Sequence, residues 1–130
     1  MSYFFKTVIS GKSFEEVLET VKTGLAKEGF GVTADIDVQN IFKNKIHVNF
    51  RKYRILGACN PHYAYLALQQ EPQLGVLLPC NVVVQENLKG EIEVAAIDSV
   101  ILMMPVNNKI VKEIAGEIQK KLKKVIENIS

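Results

Sequence analysis

The stretch "YRILGACNPHYAYLAL", residues 53–68, passes from an extended pattern to a helical one at a sharp boundary. Residues 53–58 predict a strand. Asn60 and Pro61 then predict a helix start, because the residue before proline is pushed to the extended geometry that an N-cap adopts. Proline suits the first helical position, where its missing N–H would be unpaired anyway. Pro72 marks the far limit of this helix, so Cys59 is expected where a strand gives way to a helix.

The segments before this boundary also carry local signals. Residues 3–9 predict a strand, and Ser13 followed by Glu16 has the spacing of a capping box at the start of a helix. Gly29 is expected to end that helix. Residues 32–38 alternate as a strand does, although Asp37 could instead cap a short helix. The apolar stripe of the first helix is expected to consist of Phe14, Val17, Leu18, Val21 and Leu25.

The segments after the boundary complete the pattern. Residues 81–86 and 91–97 predict two strands around a hairpin, and residues 108–128 predict a long helix. Ile110, Ile114, Ile118, Leu122 and Val125 are expected to lie on the sheet. The order strand-helix-strand-strand-helix-strand-strand-helix predicts an α+β fold, with helices packed on one face of a mainly antiparallel sheet. The whole chain, 1–130, is expected to be a single domain.

Composition narrows the classes of function. The 130 residues carry 16 basic and 14 acidic side chains, and this balance argues against nucleic acid or an anionic membrane as a partner. The start lacks the pattern of a signal peptide, and the longest apolar stretch is far too short to span a bilayer. We therefore expect a cytoplasmic protein whose thiols stay reduced. No phosphate-binding loop or hydrolase motif is present.

The chain has two cysteines, Cys59 and Cys80, and each directly precedes an asparagine. A thiol beside a helix N-terminus is stabilised as thiolate, and the same position can bind an anion. Cys80 follows Pro79, which indicates a strand edge or a bulge. For each cysteine the alternative is a small, inert, buried hydrophobic residue.

The helix between the cysteines is expected to return the chain to the sheet, as a strand–helix–strand crossover does. Both cysteines are then expected to face one pocket, with Asn60 capping the helix. A Cys-x-x-His zinc site with His62 is a weak pattern without a fourth ligand, so no metal and no particular cofactor are predicted. The predicted ligand-binding residues are Cys59, Asn60, Pro61, His62, Cys80 and Asn81.

The two cysteine motifs also resemble the prokaryotic family catalogued as domain of unknown function 302. The matching stretches are "ILGACNP" at residues 55–61, "GVLLPCNVVV" at residues 75–84 and "VAAID" at residues 94–98, together with Ala64 and Leu68. Ile46 and His47 replace the family's leucine-glycine pair, and Ser99 stands where proline is usual. The resemblance implies a compact α+β fold and a homodimer, and no established activity. The apolar run at residues 100–106, which a small monomer would struggle to hide, agrees with a dimer.

Three classes of function stay open. We favour a binding module for a small ligand, including an anion, around Cys59, Asn60, Cys80 and Asn81, because two asparagines offer paired donors and acceptors. The first alternative is a thiol-dependent enzyme or redox protein, with Cys59 as nucleophile and Cys80 as resolving thiol. The second is a structural or assembly role. Whether the chain is an enzyme is left open.

Overall fold

A computed structural model describes residues 2–130 as a five-stranded sheet with helices. The strands are β1 (Phe4–Ile9), β2 (Gly31–Asp37), β3 (Tyr53–Cys59), β4 (Cys80–Glu86) and β5 (Ile92–Ile97). The helices are α1 (Phe14–Lys27), α2 (Val38–Ile46), α3 (Pro61–Gln70), α4 (Ser99–Leu102) and α5 (Lys109–Ile129), with a 3-10 helix at Pro72–Leu77. The sheet order is β1-β5-β4-β3-β2, and every neighbouring pair is antiparallel. The predicted α+β class is confirmed, and α2, α4 and the 3-10 helix are additions to the predicted order.

Local signals set most of these boundaries. Ser13 and Glu16 form the predicted capping box, each side chain bonding the other's backbone N–H at 3.1 Å. Gly29 has a φ of 85°, and the N–H of Phe30 returns to the carbonyl of Leu25 at 2.9 Å. The side chain of Asp37 accepts from the N–H of Asn40 at 3.0 Å, so the helix alternative after β2 is the one that forms.

The main core lies between one side of the sheet and the two long helices, α1 and α5. All five stripe residues predicted for α1 are buried there. The predicted stripe of α5 is wrong at its beginning, because Ile110 is 45% exposed and Ile114 is half-buried. Val111 and Ala115 take the inner positions instead, in a second cluster with Leu74 and Met103. The first turns of α5 therefore pack against the 3-10 helix and the end of α4 rather than on the sheet.

The other side of the sheet carries the side chains that alternate with the buried ones. We call this side the open face, and its strand residues are Phe4, Lys6, Val8, Ala34, Ile36, Tyr53, Ile55, Gly57, Asn81, Val83, Gln85, Glu93, Ala95 and Ile97. A shallow hollow on it is lined by residues of the strands and by Tyr3 alone, so no helix covers its centre.

Candidate functional site

The ends of two neighbouring strands bring the cysteines together. Cys59 is the last residue of β3 and Cys80 the first of β4, and Ala58 lies directly opposite Cys80 in the antiparallel pair. As expected, the segment between the cysteines returns the chain to the sheet, but α3 and the 3-10 helix connect two antiparallel neighbours and not the parallel strands that a crossover joins. An antiparallel return places the end of one strand beside the start of the next, which is why the cysteines meet at one edge. Cys59 is half-buried, Cys80 is buried, and both are free thiols.

A cavity of about 120 Å³ opens beside the two cysteines, between this edge of the sheet and α3, α4 and α5. Its lining side chains are all uncharged. Thr33 is the exposed member of the lining and marks the mouth. The lining residues are Phe30, Thr33, Ala58, Cys59, Asn60, Tyr63, Ala64, Ala67, Leu74, Leu78, Pro79, Cys80, Ser99, Met103, Val111, Ile114, Ala115 and Ile118.

Asn60 lines the cavity but does not cap α3 with its side chain, so that expectation is wrong. It occupies the N-cap position with extended geometry, yet it makes no side-chain bond to the helix. Its Nδ2 instead donates to the carbonyl of Glu28 at 3.3 Å, just after α1 ends. A Cβ on Gly29 would lie 3.1 Å from that same Nδ2. Asn60 thus ties the start of α3 to the end of α1, which lies far away in sequence.

Gly57 and Pro79 fit against each other beside the cavity. A Cβ at Gly57 would lie 2.6 Å from Cγ of Pro79 and 3.2 Å from Cβ of Ala34. The first distance is shorter than real Cβ contacts allow, so any larger residue would displace the proline ring. The glycine of the first motif and the proline of the second therefore form one joint between β3 and β4.

Three of the predicted ligand-binding residues lie away from the cavity. Pro61 and His62 are exposed at the start of α3, and the His62 ring packs edge-on to Tyr63. Asn81 is opposite Gly57 on the open face, because successive residues of a strand point to opposite sides. Cys80 points to the helix side, and its neighbour Asn81 is not among the residues that line the cavity.

Burial sets the protonation state of the inner cysteine. The pKa of Cys80 is raised to about 11, first because burial disfavours the thiolate and second because Cys59 is close enough to add repulsion. Cys80 is therefore a neutral thiol at physiological pH, and it contributes a soft, weakly polar contact to the cavity wall.

Tyr63, Ser99 and Met103 are among the lining residues that were not foreseen from the sequence. Tyr63 and Met103 reach the cavity from α3 and from the end of α4, and Ser99 reaches it from the first residue of α4. The hydroxyl of Ser99 is buried and donates to the carbonyl of Ala115 in α5 at 2.7 Å. The unpatterned apolar run at residues 100–106 was the available signal, because a run without period fits a segment that packs in several directions. Within this run Met103 is buried, whereas Met104 is 56% exposed.

Clusters suited to a metal ion were sought throughout residues 2–130. No group of three or more His, Cys, Asp or Glu side chains in that range is placed to hold one. The same range contains no helix of the length and apolarity needed to cross a membrane.

The fold and site define a class of α+β proteins in which an antiparallel sheet is covered by helices on one side and a thiol-lined cavity lies at its edge. The chain belongs to the family described as "Domain of unknown function DUF302", whose model matches residues 5–129. The family predicted from the two cysteine motifs is thus confirmed. A similar solved structure is the "uncharacterized conserved protein DUF302 from Bacillus stearothermophilus", with 26% identity, a TM-score of 0.91 and all of both chains covered. No curated protein matches the chain.

Proposed function

We propose that the protein is a binding module for a small, uncharged and largely apolar molecule, held in the cavity beside Cys59 and Cys80. One observation carries this proposal: an apolar cavity lies between the two hydrophobic clusters, and both cysteines of the chain line it. Apolar pockets with a few polar groups are the usual form of small-molecule sites.

The lining argues for an uncharged ligand rather than for the anion suggested by the sequence. No lysine, arginine or histidine lines the cavity. The hydroxyls of Thr33 and Ser99 are already bonded to the carbonyls of Gly57 and Ala115. An anion entering here would lose its hydration without gaining a cation, which is costly in an apolar environment.

The volume limits the size of the bound group. At about 120 Å³ the cavity is close to the roughly 150 Å³ apolar cavity that binds benzene in an engineered protein. We therefore expect one aromatic ring or a short branched chain to be enclosed, with any polar end directed to the mouth near Thr33 and Cys59.

The thiol-dependent enzyme has less support. A nucleophilic cysteine needs a base or a cation nearby, and the lining contains no histidine, carboxylate or amine. Cys80 is held as a neutral thiol, which attacks poorly. We place the binding module in the reducing cytoplasm, where both thiols stay free to contact the ligand.

Benzene is a suitable probe of the cavity. We expect it to raise the Tm of the wild-type protein and to shift the NMR signals of residues around the cysteines, because a ligand that binds only the folded state stabilises it. Ala67→Leu and Ala64→Leu fill the cavity and should abolish both effects. Ala26→Leu, on the exposed side of α1, is the matched control and should leave them unchanged.

Two outcomes of the same experiment would contradict the proposed ligand site. Equal benzene effects in the filled variants and the control, or no shifts around the cysteines in the wild type, would rule out the cavity as a ligand site. Native mass spectrometry of gently purified protein would then show whether a small molecule is bound at another place on the protein.

A further inference from the structure

The open face is apolar where a solvated sheet face should be polar. An antiparallel sheet with one side in water usually alternates apolar residues inside with polar residues outside. Here Ile36, Ile55, Val83 and Ala95 form one continuous row across four strands, on the side away from the helices. Phe4 and Ile97 pair beside this row. The strands are thus apolar on both sides, which is the pattern of strands buried on both sides.

The charges of the open face are balanced within it. Lys6 and Glu93 are its charged side chains in the strands that the structure describes, and their Nζ and Oε1 atoms lie 3.5 Å apart. One further cation lies at the rim, because Nε of Arg51 donates to Oε1 of Gln85 at 2.9 Å and its guanidinium lies 5.4 Å from the centre of the Tyr53 ring. A single rim cation beside a balanced pair is not the basic patch that an anionic membrane or nucleic acid requires. A matching partner must be flat and largely apolar, with a few polar groups to meet Asn81 and Gln85. A second copy of the same face has this composition.

The size of the open face suits such an interface. Five strands spaced by about 4.8 Å, each about six residues long at roughly 3.4 Å per residue, give a plane of about 24 by 20 Å. This projected area of about 480 Å² is smaller than the accessible area, because side chains give the surface relief. The projected area is about 60% of the roughly 800 Å² per partner of a standard protein–protein interface, and the relief of the side chains brings the accessible area closer to that value.

We infer that the open face is the interface of a two-fold symmetric homodimer, in which the sheets of two copies pack face to face. Sheets packed in this way lie about 10 Å apart, with strand directions about 30° from parallel. In a two-fold dimer each copy contributes the same patch, so a single contact buries the open faces of both copies. This assigns the interface to the sheet and not to residues 100–106, where Met103 is buried and Leu102 and Val106 pack against the second cluster within the monomer. The inference does not depend on any ligand of the cavity.

Light scattering at micromolar concentration tests the inference. We expect the wild type to have twice the 14.6 kDa chain mass. Val83→Lys and Ala95→Lys each place a positive charge of one copy against the same charge of the other at the centre of the contact. These variants should have the mass of one chain and an unchanged circular dichroism spectrum. Val76→Lys, at a site that is 82% exposed and outside the open face, is the control and should stay dimeric.

Hydroxyl-radical footprinting of the wild type gives an independent readout that needs no variant to fold. Phe4 and Tyr53 should be protected at high protein concentration and become reactive on dilution, while Met104 should react equally at both. A wild type with the mass of one chain, a dimer that survives both lysine substitutions, or protection of Met104 in place of Phe4 would each overturn the inference.

Discussion

The two sides of the sheet share an apolar composition but are covered in different ways. On the helix side, α1 and α5 bury the valines of β4 and β5, and the cover leaves only a small hole beside the cysteines. On the open face the residues that alternate with those valines, such as Val83 and Ala95, have no helix over them. The contrast underlies the two proposals made above, which assign a small molecule to the hole and a second copy of the chain to the open face.

The largest effect is expected where the helix cover is complete. Leu122→Ala removes a side chain with 0% exposure from the centre of α5, and core Leu→Ala changes cost about 2–5 kcal/mol of unfolding free energy. Ile110→Ala in the first turn of the same helix should cost only about 1 kcal/mol, because Ile110 is 45% exposed and its burial is partial. Urea denaturation of both variants measures the difference. Equal losses would mean that α5 packs in the register predicted from the sequence.

A second large effect is expected at the joint between the two cysteine motifs. Gly57→Ala forces a Cβ against the ring of Pro79 and should cost about 1–3 kcal/mol, the range for overpacking. Gly75→Ala is the matched control, because a Cβ there meets nothing within 4 Å. Thermal and urea unfolding of the two variants should separate them clearly. A Gly57→Ala protein as stable as Gly75→Ala would show that the proline ring can move aside.

Two adjacent valines of β4 compare the two sides of the sheet directly. Val84→Ala removes two buried methyl groups from the helix side and should cost about 1.6 kcal/mol at about 0.8 kcal/mol for each group. That loss should not depend on protein concentration. Val83→Ala lies on the open face, so its loss should appear at high concentration and fade on dilution. Denaturation curves at several concentrations decide this, and an effect of Val83→Ala that ignores dilution would speak against a sheet-to-sheet dimer.

Local chemistry explains how much of the fold could be read from the sequence. The capping box at Ser13 and Glu16, the αL glycine at position 29 and the proline after Asn60 act within a few residues, so they specify helix ends without any tertiary information. The register of α5 could not be read in the same way. Ile110 and Val111 are both apolar, and the choice between them depends on the second cluster, which forms only when distant segments pack.

The candidate site also has features that the local sequence predicts and features that depend on distant segments. The meeting of Cys59 and Cys80 at one edge was foreseeable, since each lies at the end of a predicted strand. The true partner of Asn60 was not foreseeable, because Glu28 follows the end of a helix that is distant in sequence. The position of Asn81 was foreseeable and was missed: strand alternation alone puts it on the side of the sheet opposite to Cys80.

At pH 10 the smallest effect concerns the buried thiol of Cys80, at the edge of the helix side. The pKa of Cys80 is about 11 in the folded protein, above the 9.0 of an ordinary cysteine, so folding favours the protonated thiol. This contribution to stability is fully present below about pH 9. Above that pH the unfolded chain releases the proton first, and the contribution falls by about 1.4 kcal/mol per pH unit until about pH 11. At pH 10 the loss should be about 1.4 kcal/mol.

Cys80→Ala isolates this titration from the lysines and tyrosines that ionise in the same range. The difference in unfolding free energy between wild type and Cys80→Ala should shrink from pH 9 towards pH 11, and the thiolate absorbance of Cys80 should rise only near the upper limit. In Cys59→Ala the pKa of Cys80 should drop slightly, because repulsion from Cys59 is the second cause of the shift. A difference that stays constant with pH would mean that water reaches Cys80, and the edge beside the cavity would then be as open as the other face of the sheet.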